Sequence, residues 1–282
     1  MRMTFTCELN DDLIIQQPQL SPPDRDAHKY DRGHTLVFSG PPLATGASRL
    51  AARAALVIGS GVVTLVGDEN ELREQAAHVT SIMLHSRDEE MQSIDSRVTA
   101  FVIGPGYGVS AATARDVITI AEQGRAMALD ADGLTSFENE PQRLFDAAHS
   151  QIVLTPHEGE FSRLFPDIEW SDHKSAAVAA AKLSGAVVLF KGEQTVIAAP
   201  DGRLAINTHA NSWLATAGSG DVLTGMVSGI MAQGTGAFTA ACAAVWMHGD
   251  IAFRHGAGLT APRMIDLIPD VLADCLVKED GK

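Results

Sequence analysis

Cysteine, positive charge and long apolar runs are scarce in this sequence, and each scarcity closes off a class of protein. The three cysteines, Cys7, Cys242 and Cys275, stand far apart with no Cys-x-x-Cys spacing, which argues against a disulfide framework or a structural zinc site and suits a reducing compartment. Lys and Arg number 21 against 35 Asp and Glu, for a formal net charge of -14 over 282 residues. A chain so acidic lacks the basic footprint that nucleic acid or an anionic membrane surface requires, so a small molecule is the expected partner. No stretch approaches the ~18 consecutive apolar residues of a membrane span. Residues 1–20 lack the basic start and unbroken apolar run of a secretory signal, and a cytoplasmic protein is predicted. Two phosphate-binding fingerprints are missing as well, since neither GxxxxGK[ST] nor a GxGxxG directly after a strand occurs.

What is present is an alternation of apolar runs and helical patterns. Residues 1–27, rich in proline and polar groups, predict a loosely ordered leader, and residues 28–282 a single domain. "TLVFSG", "VVTLVG", "VTAFVIG", "AMALDAD", "QIVLTPH" and "AVVLFKG" read as strands. Between them "GASRLAARAALVIGSG", "NELREQAAHVTSIML", "SAATARDVITIAEQG" and "SDHKSAAVAAAKLSG" read as helices, with Ser110 as an N-cap and Gly124 at a helix end. Strands that are apolar on both faces, with helices between them, predict a three-layer α/β/α sandwich around a mostly parallel central sheet. "TVIAAPDGRLAI" predicts a hairpin at its edge, and the chain from Asp221 onward reads as helical almost to its end.

Ligands collect outside the carboxyl ends of strands in such a sheet. The loops "IGPGYG", "LDADG", "LTPHEGE" and "FKGEQT" each follow a strand and carry small or polar residues, which predicts a cleft. The window "WLATAGSGDVLTG" places Gly218, Ser219, Gly220 and Asp221 at the start of an apolar helix. A helix start leaves backbone amides unpaired and carries partial positive charge, so an acidic protein can hold an anion there. Asp221 alone reads as an N-cap residue. Beside a glycine-flanked anion hole it can instead take the proton of a hydroxyl that attacks phosphorus.

With these segments in this order, the sequence resembles the ribokinase-like superfamily and, within it, the NAD(P)H-hydrate dehydratases. The segment "NTHANSWLATAGSGDVLTGMVSGIMAQG", together with "LTPHEGEF" and "KGEQTVIAAPDG", carries the resemblance. The resemblance implies repair of hydrated NADH or NADPH, acting on the S epimer. Asp221 would deprotonate the ring hydroxyl, which attacks the terminal phosphoryl of ADP or ATP, and phosphate then leaves. The amides of Ala217, Gly218, Ser219 and Gly220 would hold the developing charge. Carried over residue by residue, Ala47, Gly106, His157 and Asp221 would touch the damaged dinucleotide, with Asn207 and Asn211 near it. Lys191, Gly192, Glu193, Gln194, Thr195 and Gly220 would line the nucleotide pocket. Mg2+ is the implied metal, with Asp130 and Glu160 as candidates to position it through water, and Asp132 as a further carboxylate nearby.

The resemblance also implies a homo-oligomer, a tetramer among the forms expected, and an epimerase either separate or once fused. Too few residues precede His28 to form that epimerase, so interconversion of the hydrates is not expected of this chain. ADP is the favoured nucleotide. The sequence departs from the family pattern at Ser212, Trp213 and Leu214, where the indole is expected to reshape the ring side of the pocket, and at Glu158, which stands in place of a proline. Two other readings stay open at this level: a vitamin or sugar kinase of the same fold, and a nucleotide sensor without turnover.

Overall fold

The continuous apolar runs form the interior of a nine-stranded sheet in the computed structural model, which describes residues 3–277. The chain opens with two short strands, β1 (Thr4–Thr6) and β2 (Gln19–Ser21), paired antiparallel. Next come β3 (His34–Phe38), α1 (Gly46–Val57), β4 (Val62–Gly67), α2 (Glu69–Ala76), β5 (Met83–Ser86) and the short α3 (Arg87–Gln92). They are followed by β6 (Ala100–Ile103), α4 (Ala111–Ala121), β7 (Ala126–Leu129), α5 (Asp132–Thr135), α6 (Pro141–Ala147) and β8 (Ile152–Leu154). Then α7 (Glu158–Leu164), α8 (His173–Ser184) and β9 (Val187–Phe190) lead to the hairpin of β10 (Thr195–Ala198) and β11 (Leu204–Asn207). A 3-10 turn at Ser212–Leu214 and three long helices, α9 (Ser219–Ala232), α10 (Ala237–His255) and α11 (Ala261–Cys275), complete the order. Ser110 caps α4 as predicted, accepting from the Thr113 amide at 3.0 Å.

The strand order is β11-β10-β9-β8-β7-β6-β3-β4-β5, parallel from β9 to β5 and antiparallel through the hairpin. β3 pairs with both β4 and β6, so the chain winds outward in one direction and resumes in the other between those strands. That switch point opens a crevice at the carboxyl ends of the strands. One face of the sheet packs against α9, α10 and α1, on which α11 lies, and the other against α4 and the α6 to α8 segment. The α1–α9 contact is close: a Cβ on Gly225 would lie 2.2 Å from the Ala51 carbonyl oxygen. Among the described residues no helix is long and apolar enough to cross a membrane.

Two expectations need correction. The leader is ordered over its described part: Phe5, Ile15 and Leu20 are buried, and the Ile15 amide donates to Ile206 O at 3.0 Å while the Ile206 amide donates to Leu13 O at 2.9 Å. Residues 13–15 thereby cover the open edge of β11, whose unpaired backbone groups need partners. Residues 1–2 of the leader and 278–282 of the expected domain lie outside the described residues. The helix predicted across "NELREQAAHVTSIML" stops at Ala76 although the apolar spacing continues through Val79 and Met83, because Met83–Ser86 pairs with β4 as the half-exposed edge strand β5.

Replacing Gly225 with Ala should force α1 and α9 apart and destabilise the protein by roughly 1–3 kcal/mol, read as a lower denaturation midpoint with unchanged slope. An unchanged midpoint would contradict the close packing.

Candidate active site

The loops predicted to converge do so. At the switch point, a Cβ on Gly40 would lie 2.1 Å from Gly106 O, and one on Gly106 would lie 3.3 Å from the Ala47 Cβ. Ala47 and Gly106, far apart in sequence, therefore share one small-residue surface where the β3 and β6 loops meet.

The ends of β7, β8 and β9 are joined by a buried ion-pair network. Lys191 follows β9, its amide donates to Pro156 O at 2.9 Å, and its Nζ lies 2.9 Å from Asp130 Oδ1 and 3.9 Å from Glu160 Oε2. Asp130 Oδ1 also accepts from the Ala131 amide at 2.9 Å, and Oδ2 accepts from Thr224 Oγ1 at 2.7 Å. Glu160 forms a capping box with His157 at the start of α7: Glu160 Oε2 accepts from the His157 amide at 2.9 Å, and His157 Nδ1 accepts from the Gly159 amide at 3.0 Å. Burial would pull the Lys191 ammonium down, but Asp130 and Glu160 beside it outweigh that and its pKa is raised. Burial raises the Glu160 carboxyl against the opposing pull of Lys191.

Thr224 carries this network into α9. The helix is capped by Gly218, whose φ of +85° is a conformation glycine adopts without strain, and Asp221 lies in the first turn rather than at the N-cap. Burial lifts the Asp221 carboxyl to about 6, with the Asp130 charge adding, Lys191 opposing and Asp132 adding further. A Cβ on Gly220 would lie 3.7 Å from both Asp130 Oδ2 and Lys191 Nζ, so the bare backbone of the motif faces the ion pair. Ser219 Oγ lies 3.1 Å from Nε2 of the buried His248, whose pKa burial lowers to about 4, so the ring is neutral at physiological pH.

Against this network opens a cavity of about 1050 Å³. His157, Lys191, Gly192, Glu193, Thr195, Asn207, Asn211, Ser219 and Gly220 line it, with Leu214, Leu223 and Val245 as apolar wall. The predicted residues Ala47, Gly106, Asp130, Glu160, Gln194, Gly218 and Asp221 are not in that wall. Of the predicted residues, Ala47 and Gly106 meet at the switch point, Asp130 and Glu160 belong to the ion-pair network, and His157, Asn207 and Asn211 line the cavity together with Lys191, Gly192, Glu193 and Thr195. Asn211 Oδ1 caps the 3-10 turn by accepting from the Trp213 amide at 3.0 Å. Trp213 itself is 47% exposed and does not line the cavity.

The donor set does not make a metal cage. Among the described residues no group of three or more His, Cys, Asp or Glu is placed to hold an ion. Lys191 Nζ already stands against both Asp130 and Glu160, and both Asp130 oxygens are engaged. Sequence reasoning missed Thr224 and His248. Their signals were a hydroxyl three residues after Asp221 in an apolar helix, and a lone imidazole within "AVWMHGD".

A mostly parallel sheet flanked by helices, with a glycine-opened helix at its carboxyl edge, defines a ribokinase-like α/β protein. A ribokinase-like superfamily protein from Enterococcus faecalis shares the fold, with a TM-score of 0.81 at 21% identity over 91% of this chain and 92% of that one. A family model described as NAD(P)H-hydrate dehydratase matches residues 35–270, and the chain belongs to that family. The ADP-dependent (S)-NAD(P)H-hydrate dehydratase of Neisseria meningitidis serogroup B is 34% identical over 245 residues, covering 84% of this chain and 82% of that protein. The bifunctional NAD(P)H-hydrate repair enzyme Nnr of Salinibacter ruber is 36% identical over 271 residues, covering 89% of this chain and 50% of that protein. The chain spans about half the length of several such bifunctional relatives. The ADP/ATP-dependent NAD(P)H-hydrate dehydratase of Bacillus subtilis, co-crystallised with ATP/Mg2+, superposes with a TM-score of 0.81 at 27% identity, covering 91% of this chain and 95% of that one.

The Asp221 shift makes a stability prediction. A carboxyl raised in the folded state favours folding when protonated, a contribution fully present below the unfolded value of 3.8 and lost as pH rises through about 6. The neutral variant Asp221→Asn should therefore be more stable than the parent at pH 8, by roughly 1–2 kcal/mol after allowance for solvent screening. The gap should close as pH falls toward 4. A variant less stable than the parent at pH 8 would contradict the burial assigned to this carboxylate.

Proposed function

We propose that this chain dehydrates the S epimer of hydrated NADH or NADPH at the expense of ADP or ATP. The observation that carries the reading is the carboxylate of Asp221, held at about 6 in the first turn of a helix whose glycine start faces Lys191. Hydroxide is a poor leaving group from the hydrated ring, and phosphorylation makes it a good one. Asp221 takes the proton of the ring hydroxyl, whose oxygen attacks the terminal phosphorus while the bond to the remaining nucleotide breaks. The ring nitrogen's electrons then expel the phosphate and a proton leaves the neighbouring ring carbon, giving NAD(P)H, orthophosphate and AMP from ADP or ADP from ATP.

In this reading the amides at the α9 start hold the charge on the moving phosphoryl, the donor geometry that lowers such barriers most. Lys191 supplies the local cation that an acidic chain needs for an anionic substrate. Lys191, Gly192, Glu193, Thr195 and Gly220 hold the nucleotide in the cavity, with Gln194 in the same loop, and Ala47 and Gly106 offer a flat surface to the nicotinamide ring, with His157 beside Asp221's substrate. Magnesium entering with the nucleotide would screen the phosphate charge, since the described carboxylates form no cage of their own to hold it. A carboxylate with a pKa near 6 is ionised at neutral pH yet still basic enough to accept a proton.

Mixed with hydrated cofactor, magnesium and ADP or ATP, the protein should restore the absorbance of the reduced cofactor and release orthophosphate in equal amount. A stable phosphate ester without cofactor recovery would instead mark a small-molecule kinase. Asp221→Asn should lower kcat by about 10²-fold or more with nucleotide affinity nearly unchanged. For the parent enzyme, kcat/KM should fall with decreasing pH below about 6 as this carboxylate protonates. Full activity in the variant would refute the role of Asp221.

A further inference from the structure

Among the buried side-chain polar atoms that have no hydrogen-bond partner in the described residues, one belongs to a residue that lines the cavity: Oδ1 of Asn207. Asn207 ends β11 and is only 1% exposed. Its Nδ2 donates to His209 O at 3.3 Å and to Val245 O at 3.5 Å. Those two carbonyls decide which way the amide is turned, because the reversed rotamer would set oxygen against two oxygens. They are themselves held in place. The His209 ring is stacked between Trp246 and Phe253, at 4.6 and 4.7 Å between centroids, and its Nε2 lies 3.0 Å from Asp250 Oδ1. Gly249 lets the helix backbone press on this loop, since a Cβ there would lie 1.6 Å from His209 O.

A preset acceptor is therefore left unpaired, and nearly sealed from solvent, on a residue of the cavity wall. A buried acceptor without a donor is costly, so a ligand donor is the physical complement. The adenosine part of a nucleotide offers two kinds of donor, the exocyclic amine of the base and the ribose hydroxyls, whereas ionised phosphates offer none. We propose that Asn207 Oδ1 accepts a hydrogen bond from an N–H or O–H donor of the bound adenine nucleotide and so selects the nucleoside that this cavity takes. The inference rests on the assignment of the nucleotide to this cavity. Leu214, Leu223 and Val245 in the same wall suit a flat nucleoside beside the acceptor.

The test is equilibrium binding by calorimetry, without turnover, of ADP, inosine diphosphate, 2′-deoxy-ADP and 3′-deoxy-ADP. The proteins are the parent, Asn207→Leu and Asn207→Ala, each with its melting temperature recorded. The parent should bind the analogue lacking the recognised donor about tenfold or more weakly than ADP. That particular penalty should shrink to roughly twofold or less in both variants. A penalty confined to inosine diphosphate assigns the base amine, and one confined to a deoxy analogue assigns the ribose; either supports the proposal. Equal binding of all four nucleotides by the parent would overturn it even if neither variant folds, as would parent ratios preserved in a folded variant. If ADP fails to bind the parent at all, the nucleotide cavity and this proposal fall together. If ADP binds and drives repair while the ratios stay flat, only this proposal falls.

Discussion

Among the described residues Lys191 is the cation at the centre of a buried acidic cluster, and the geometry of the site depends on it. Its ammonium joins Asp130 at 2.9 Å and approaches Glu160 at 3.9 Å, and the same Asp130 reaches α9 through Thr224. Three strand ends and one helix start are thereby referred to a single charge. Burial is the main reason the Asp221 carboxyl rises, and the Asp130 charge beside it adds more than Lys191 takes away. Removing a partner from such a pair leaves a buried charge uncompensated, which is why the network is better understood as fixing positions than as adding stability.

Close backbone packing puts the helix start where that charge can be used. α9 lies on α1 at Gly225, and its first turn opens at Gly218 with no side-chain cap, the Ser219 amide donating to Thr216 O at 3.2 Å. This resolves an apparent conflict in a protein of net charge -14 that is expected to handle phosphate. The overall field opposes an anionic ligand, while main-chain dipoles and one lysine, acting at short range and partly shielded from water, favour it locally.

The parallel sheet was legible because strands buried on both faces have little choice but to be apolar throughout, as "FVI" and "VVLF" are. The loops at their ends were legible as small or polar residues in fixed alternation with those runs. Three features were not. The leader's Phe5, Ile15 and Leu20 are single apolar residues among polar ones, and only the tertiary surface of α10, α11 and β11 gives them a place. β5 has the half-exposed pattern of an edge, which a helical reading absorbs. Thr224 and His248 act across 94 and 29 residues of chain, on Asp130 and Ser219, and no local spacing announces such partners. The separation of Ala47 and Gly106 from the cavity that His157, Asn207 and Asn211 line was likewise invisible until the loops were brought together.

The central claim is that the ring hydroxyl becomes a phosphate ester at the tip of α9 before it leaves. Hydrated NADH prepared with oxygen-18 in that hydroxyl tests it directly. After complete repair with ADP or ATP, the label should be found in the released orthophosphate, one atom per turnover. Label recovered in water, with unlabelled phosphate, would mean that the hydroxyl departs without ever meeting phosphorus, and the mechanism argued from Asp221 would be wrong.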